Sequence, residues 1–265
     1  MNRIDRTFTD LKRKRKKAFI AFITAGDPSL KVTEQLVYAL EGAGVDIIEL
    51  GVPFSDPLAD GPTIQAASER ALKHHVNLNQ ILHLVARLRR KTQIPLALMT
   101  YYNPVFHFGE KRFVKNARRA GVDGVIIPDL PLEEGRNLIQ LSRKENLATV
   151  FFLSPTTTKA RMRKIIQASS GFIYFVSLTG VTGARKSLPA DLAKSLKLAK
   201  RMSKKPICVG FGISTPQQVK SLARLADGVI VGSAIINEIK RSRGSAKKVQ
   251  SFVRRLTVQC HSECL

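Results

Sequence analysis

Residues 32–51 read VTEQLVYALEGAGVDIIELG, and this stretch holds the repeating unit of the whole chain. Val32, Leu36, Leu40 and Ala43 recur at the spacing that lines one face of a helix with apolar side chains. Gly44 then supplies the left-handed residue that ends such a helix. The run 46–51 follows at once, apolar on both alternating faces except for Glu49, as a strand covered on both sides should be. Gly121-Val122-Asp123 repeats the same join further on.

Working outward, eight such apolar runs occur, at 18–25, 46–51, 95–101, 124–129, 148–153, 172–177, 206–211 and 228–231. Helical patterns lie between them, one marked by Leu188, Leu192, Leu196 and Ala199. Alternation of this kind predicts a parallel sheet covered by helices, and eight units predict closure. The fold class expected is α/β, a single (β/α)8 TIM barrel spanning residues 1–265. Three additions are expected: an N-terminal helix, an extra helix in the second unit (Leu78, Ile81, Leu82, Val85, Leu88) and a short helix after the eighth strand. An open doubly wound sheet would carry a Gly-x-Gly-x-x-Gly loop after its first strand, and none is present.

Composition narrows the class. With 265 residues, 44% hydrophobic and 24% charged, the chain is globular rather than disordered. Its longest apolar run, 18–25, is far short of the roughly 20 residues of a membrane helix, and no secretory leader is visible, so the cytoplasm is expected. The net charge of +24 and the unbroken basic run Lys12 to Lys17 could suit nucleic acid. Aromatic residues do not interleave with the cations as in a base-stacking platform, which favours a solvated basic surface. Cys208 reads as a buried strand thiol. Cys260, His261 and Cys264 match no standard zinc spacing and are read as a polar, poorly ordered tail, so no metal is expected.

In a barrel of this type, chemistry belongs at the C-terminal ends of the strands. Glu49 near the end of the second strand is the first candidate, because a charge inside an apolar strand is expensive without a task. Asp56 and Asp60 follow in a loop stiffened by Pro53, Pro57 and Pro62. Asp129 closes the fourth strand, and a helix cap or loop-amide role is the plain alternative for it and for Asp56. The loops Phe211-Gly212-Ile213-Ser214-Thr215 and Val231-Gly232-Ser233-Ala234-Ile235 suit a phosphate, with Ser233 opening a short helix. The loop 179–185, containing Thr182 and Gly183, is polar enough to close over a ligand. None of the proposed strands contains Lys or His, which argues against Schiff-base and metal-dependent chemistry. Carboxylate acid–base work on a phosphorylated substrate, without a cofactor, remains.

The stretch 49–65, ELGVPFSDPLADGPTIQ, resembles the signature of tryptophan synthase alpha subunits. Thr24-Ala25-Gly26-Asp27-Pro28, Met99-Thr100-Tyr101-Tyr102-Asn103-Pro104, Gly180-Val181-Thr182-Gly183 and Gly210-Phe211-Gly212-Ile213-Ser214 extend the resemblance, which covers about residues 4–255. It implies cleavage of indole-3-glycerol phosphate, with Glu49 and Asp60 as the acid–base pair. It implies an indole pocket walled by Phe22 and Phe211, support from Tyr174, a phosphate held by Gly183, Gly212, Gly232 and Ser233, and a substrate-binding role for Thr182. It further implies a beta subunit carrying pyridoxal phosphate in an α2β2 assembly, docked on the loops after the second and third strands. The four aromatic residues of 101–108, read as a rim loop, suit that docking. Leu178 stands where some relatives carry Arg. Two rival readings are a sugar-phosphate isomerase or epimerase on the same scaffold, and a basic nucleic-acid-binding protein.

Overall fold

A computed structural model describes residues 1–176, 190–210 and 212–262. All eight apolar runs form parallel strands, most of them shorter than the run: β1 (Ala18–Thr24), β2 (Ile47–Gly51), β3 (Leu96–Met99), β4 (Gly124–Ile126), β5 (Ala148–Val150), β6 (Phe152–Leu153), β7 (Ile173–Val176), β8 (Ile207–Gly210) and β9 (Gly228–Val231). Their order is β5-β4-β3-β2-β1-β9-β8-β7-β6. The two ends of that order are halves of one run, 148–153, interrupted at Phe151. Ala148 donates its N–H to Asp123 O at 2.9 Å, and Phe151 O accepts Tyr174 N at 3.0 Å. The fifth stave therefore pairs on both sides, and the barrel closes through it. β4 stops at Ile126, so Asp129 sits in the following loop rather than closing the strand.

Twelve helices occur among the described residues. They are α1 (Arg3–Arg13), α2 (Leu30–Gly42), α3 (Pro62–Leu72), α4 (Leu78–Leu88), α5 (Tyr102–Phe108), α6 (Glu110–Ala120), α7 (Arg136–Lys144), α8 (Lys159–Ala168), α9 (Ala190–Met202), α10 (Pro216–Ala223), α11 (Ser233–Arg241) and α12 (Ala246–His261). All three expected additions are present, as α1, the α3–α4 pair and α11. Gly44 and Gly121 take the positive φ, +88° and +97°, that their helix-ending role requires. Leu192, Leu196 and Ala199 are buried as their stripe predicts, whereas Leu188 and Leu178 lie outside the described residues.

Two expectations are corrected. Residues 102–108 are helix rather than loop: Tyr101 is its N-cap, and Asp129 accepts Tyr102 N with both oxygens at 2.9 and 3.2 Å. The plain loop-amide reading thus holds for Asp129. The C-terminal segment is ordered through His261, because α12 presses Cys260 into the protein. The Cys260 thiol reaches Ala18 O at 3.4 Å, and His261 Nε2 lies 2.8 Å from Asp46. No metal-binding group occurs among the described residues, and Cys264 lies outside them.

The barrel interior is layered. Ile4, Phe8 and Leu11 of α1 plug its lower mouth and pack with Ala18, Ile20, Ile47, Ile126 and Phe172. Gly124 and Gly171 make room for Ile4, since a Cβ at either would meet its side chain at 3.0 or 3.2 Å. With the lower end sealed, a ligand can enter only from the C-terminal ends of the strands. Within the basic run, Lys12 and Arg13 fall in the last turn of α1, where cations favour the helix dipole.

Three aspartates just below the strands hold the staves in register. Asp46 donates its N–H to Phe19 O and accepts Phe19 N on its carboxylate at 2.7 Å. Asp123 makes the same double bond with Leu96, and Asp227 with Ile207. Each carboxylate is capped by a cation or imidazole: His261 on Asp46, Arg3 and Arg89 on Asp123, Lys17 and Lys200 on Asp227. Asp123 is fully buried, and Arg89 is only 10% exposed. Asp123→Ala should cost about 3–5 kcal/mol, because it strands the Arg89 charge and the Leu96 amide. Urea unfolding measures this, and an unmoved midpoint would show that the staple is dispensable.

Candidate active site

Glu49 occupies the centre of β2, paired in register with Phe22 on one side and Ala97 on the other. Its side chain is fully buried, and neither carboxylate oxygen has a hydrogen-bond partner among the described residues. Burial alone pushes its pKa up to about 8. At neutral pH the group is therefore a carboxylic acid, held without a partner where a ligand could supply one. Thr24, at the end of β1, is a second buried hydroxyl without a partner.

Aromatic rings enclose this acid. Phe22 leans across Gly51, where a Cβ would meet its ring at 2.6 Å, and also across Gly232. Only glycine at 51 lets the ring lie against β2. Tyr174 stacks with Phe152 at 4.9 Å and lies over Gly210 in the same way. Burial raises the Tyr174 hydroxyl well above its ordinary value, and at the high pH where Glu49, Cys208 and Asp60 are all ionised their charges raise it further. It remains a neutral donor.

Asp60 comes from the loop between β2 and α3. Desolvation pushes it up to about 6, opposed by a hydrogen bond from Tyr101 Oη at 3.1 Å. The neighbouring amide, Ala59 N, donates to the same hydroxyl at 3.0 Å. Asp56, by contrast, is exposed, and its carboxylate accepts the Ser55 hydroxyl at 2.6 Å rather than the helix-cap or loop-amide bond expected of it.

The phosphate candidates separate. Gly232 is the N-cap of α11 and offers no side-chain bond, so the first amides of that nine-residue helix stay open to an anion. In the other loop Gln218 Oε1 already accepts Ser214 N at 2.9 Å and Thr215 N at 3.1 Å. The expectation that 212–215 as a whole receives phosphate is thereby narrowed to Gly212, at φ +63° with open space around it. The capping pattern Thr215-x-x-Gln218 was the sequence signal for this. Thr182, Gly183 and Phe211 lie outside the described residues.

A sequence profile described as Tryptophan synthase alpha chain matches residues 8–263. The chain belongs to the tryptophan synthase alpha chain family. The tryptophan synthase alpha chain of Geotalea daltonii is 52% identical over 244 residues, covering 92% of each chain. That of Caldanaerobacter subterraneus subsp. tengcongensis is 48% identical over 256 residues, covering 96% of this chain and 97% of its own. Among solved structures, the alpha subunit from Legionella pneumophila superposes with a TM-score of 0.92 at 39% identity over 98% of both chains. A chain of the tryptophan synthase α2β2 complex of Pyrococcus furiosus gives 0.87 at 39% identity, covering 91% of this chain and 98% of that one.

In this alpha chain the unpartnered acid carries a stability cost with a definite sign. The folded pKa of Glu49, about 8, exceeds the ordinary 4.5, so the folded state binds more protons between those values. Stability therefore falls as pH rises from about 4.5 to about 8, then levels. Glu49→Gln keeps the shape and removes the ionisation. It should match wild type near pH 4 and exceed it by on the order of 4 kcal/mol above pH 8. Parallel denaturation curves test this; a pH-independent gap would mean that Glu49 ionises freely in the fold.

Proposed function

We propose that this chain is a carbon–carbon lyase that cleaves indole-3-glycerol phosphate to indole and glyceraldehyde 3-phosphate in tryptophan biosynthesis. It acts as one domain spanning residues 1–265, in the cytoplasm and without a cofactor of its own. The observation that carries the reading is Glu49, a buried, unpartnered carboxylic acid on an aromatic-lined strand.

Glu49 delivers its proton to indole C3, which leaves positive charge on the ring nitrogen. Asp60, as a carboxylate, accepts the ring N–H and stabilises that charge. The Glu49 carboxylate then removes the proton of the C3′ hydroxyl as the C3–C3′ bond breaks. The bond's electron pair returns to the ring, C3′ becomes the aldehyde, and Glu49 ends protonated as it began. Phe22 and Phe211 wall the indole, Tyr174 supports the reacting end, Gly183, Gly212, Gly232 and Ser233 hold the phosphate, and Thr182 binds the substrate.

The partner is a beta subunit that carries pyridoxal phosphate, in an α2β2 assembly. One structure from Pyrococcus furiosus is described as the basis of mutual activation of the tryptophan synthase α2β2 complex. Here α5 offers a docking feature, since Phe106 is 68% exposed on it. Tyr101 is buried and Tyr102 and Phe108 are half-buried, so one ring rather than four stands out. An isomerase acting on a sugar phosphate would use the phosphate loops but would need neither the Asp60 loop nor the ring-lined acid.

The two carboxyls should work in opposite protonation states, Asp60 ionised above about 6 and Glu49 protonated below about 8. The lyase kcat/KM should accordingly rise through the first value and fall through the second. Glu49→Gln should lose at least about 10²–10⁴ in turnover. Asp60→Asn should lower kcat far more than affinity, because the charge matters only once the ring is protonated. A coupled assay for glyceraldehyde 3-phosphate reads all three. Near-normal turnover in Glu49→Gln would end the assignment.

A further inference from the structure

Asp60 stands on an exposed loop, where Ser55, Asp56, Leu58 and Ala59 all face solvent and Leu58 is 92% exposed. A carboxylate that must meet one ring N–H cannot be left to a free loop, since misplacement by about 1 Å can cost on the order of 10² in rate. One side chain supplies the missing constraint. The Tyr101 hydroxyl accepts Ala59 N at 3.0 Å and donates to Asp60 Oδ2 at 3.1 Å. Its ring packs on Phe54 of the same loop, with centroids 5.2 Å apart. Two successive loop residues are thus fixed from one atom. Among the described residues the second Asp60 oxygen makes no hydrogen bond, which leaves it for a ligand.

Tyr101 is itself held. It is 5% exposed and is the N-cap residue of α5, whose next residue is fastened by its N–H to Asp129. The same helix carries exposed Phe106, stacked on Tyr102 at 5.9 Å. A rigid seven-residue helix therefore has its exposed aromatic at one end and the Asp60 clamp at the other.

We infer that Tyr101 is the positioning residue for Asp60, and that it ties the setting of Asp60 to occupancy of the α5 face by the beta subunit. The inference rests on the lyase reading given above. Tyr101 touches no reacting atom in this account. It orients the carboxylate, favours its ionised form by donating to it, and passes on any shift of α5.

Tyr101→Phe removes the hydroxyl and keeps the ring against Phe54, so the loop keeps its apolar anchor. In the lyase assay the variant should lose about 10–100-fold in kcat, with KM for the substrate nearly unchanged. The acid limb of its pH profile should move to higher pH, because the bond from Tyr101 lowers the Asp60 pKa. Titration with the beta subunit should stimulate the variant less than the wild type. Wild-type kcat with an unmoved acid limb would overturn the positioning role. A rise in KM alone would overturn it also, by making Tyr101 a substrate contact. Equal stimulation by the beta subunit would overturn the link to α5. A wild-type protein without lyase turnover would instead fault the functional reading itself.

Discussion

A carboxyl group sealed inside an apolar barrel, with no hydrogen-bond partner, is stable there only while it holds a proton. Glu49 is in that position, and the rest of the site is arranged around it. Phe22 and Tyr174 keep water from both sides, and each needs a glycine opposite, Gly51 and Gly210, to lie so close. The same burial that penalises the anion keeps the proton on Glu49 at neutral pH, available to a bound substrate, and makes the carboxylate left after its transfer a stronger base. Asp60 is less buried, is hydrogen-bonded by Tyr101, and ionises about two pH units earlier by the values near 6 and 8. Two carboxyls of ordinary chemistry thus acquire different duties from their surroundings alone.

Such a site needs a frame that does not yield, because an unpaired acid would otherwise draw in water or a neighbouring donor. The frame is fastened at the opposite end. Asp46, Asp123 and Asp227 each clasp the first residues of the adjoining strand with both main-chain and side-chain bonds, and α1 fills the mouth between them. Stability is concentrated below and chemistry above, the division of labour expected of this barrel. It also bears on the net charge of +24. Burial holds Glu49 neutral at physiological pH, so the protein is slightly more basic than the formal count conveys.

Much of this was legible in the sequence, for physical reasons that can be named. Burial on both faces makes a strand apolar throughout, so the eight runs stood out, and so did Glu49 as the charge that broke one of them. Gly44 and Gly121 were legible because only a left-handed turn joins helix to strand so abruptly. The seven-residue helix 102–108 was not, since a tyrosine, a proline and two phenylalanines give no helical stripe. Its start depends on a cap from Asp129, 27 residues distant. The C-terminal segment read as a tail because His261 finds its partner in Asp46, far off in sequence. Tyr101 was seen as a rim aromatic, and its hydroxyl gained meaning only beside Ala59 and Asp60. Local pattern reveals elements; long-range hydrogen bonds reveal what fixes the working groups.

The central claim is that Glu49 rests as a neutral acid at physiological pH. The direct measurement is a pH titration of the Glu49 side-chain carboxyl by carbon NMR in glutamate-labelled protein, with the resonance assigned by its loss in Glu49→Gln. The account predicts a midpoint near 8, far above the ordinary 4.5. A midpoint near the ordinary value would show an ionised Glu49 at neutral pH and contradict the account.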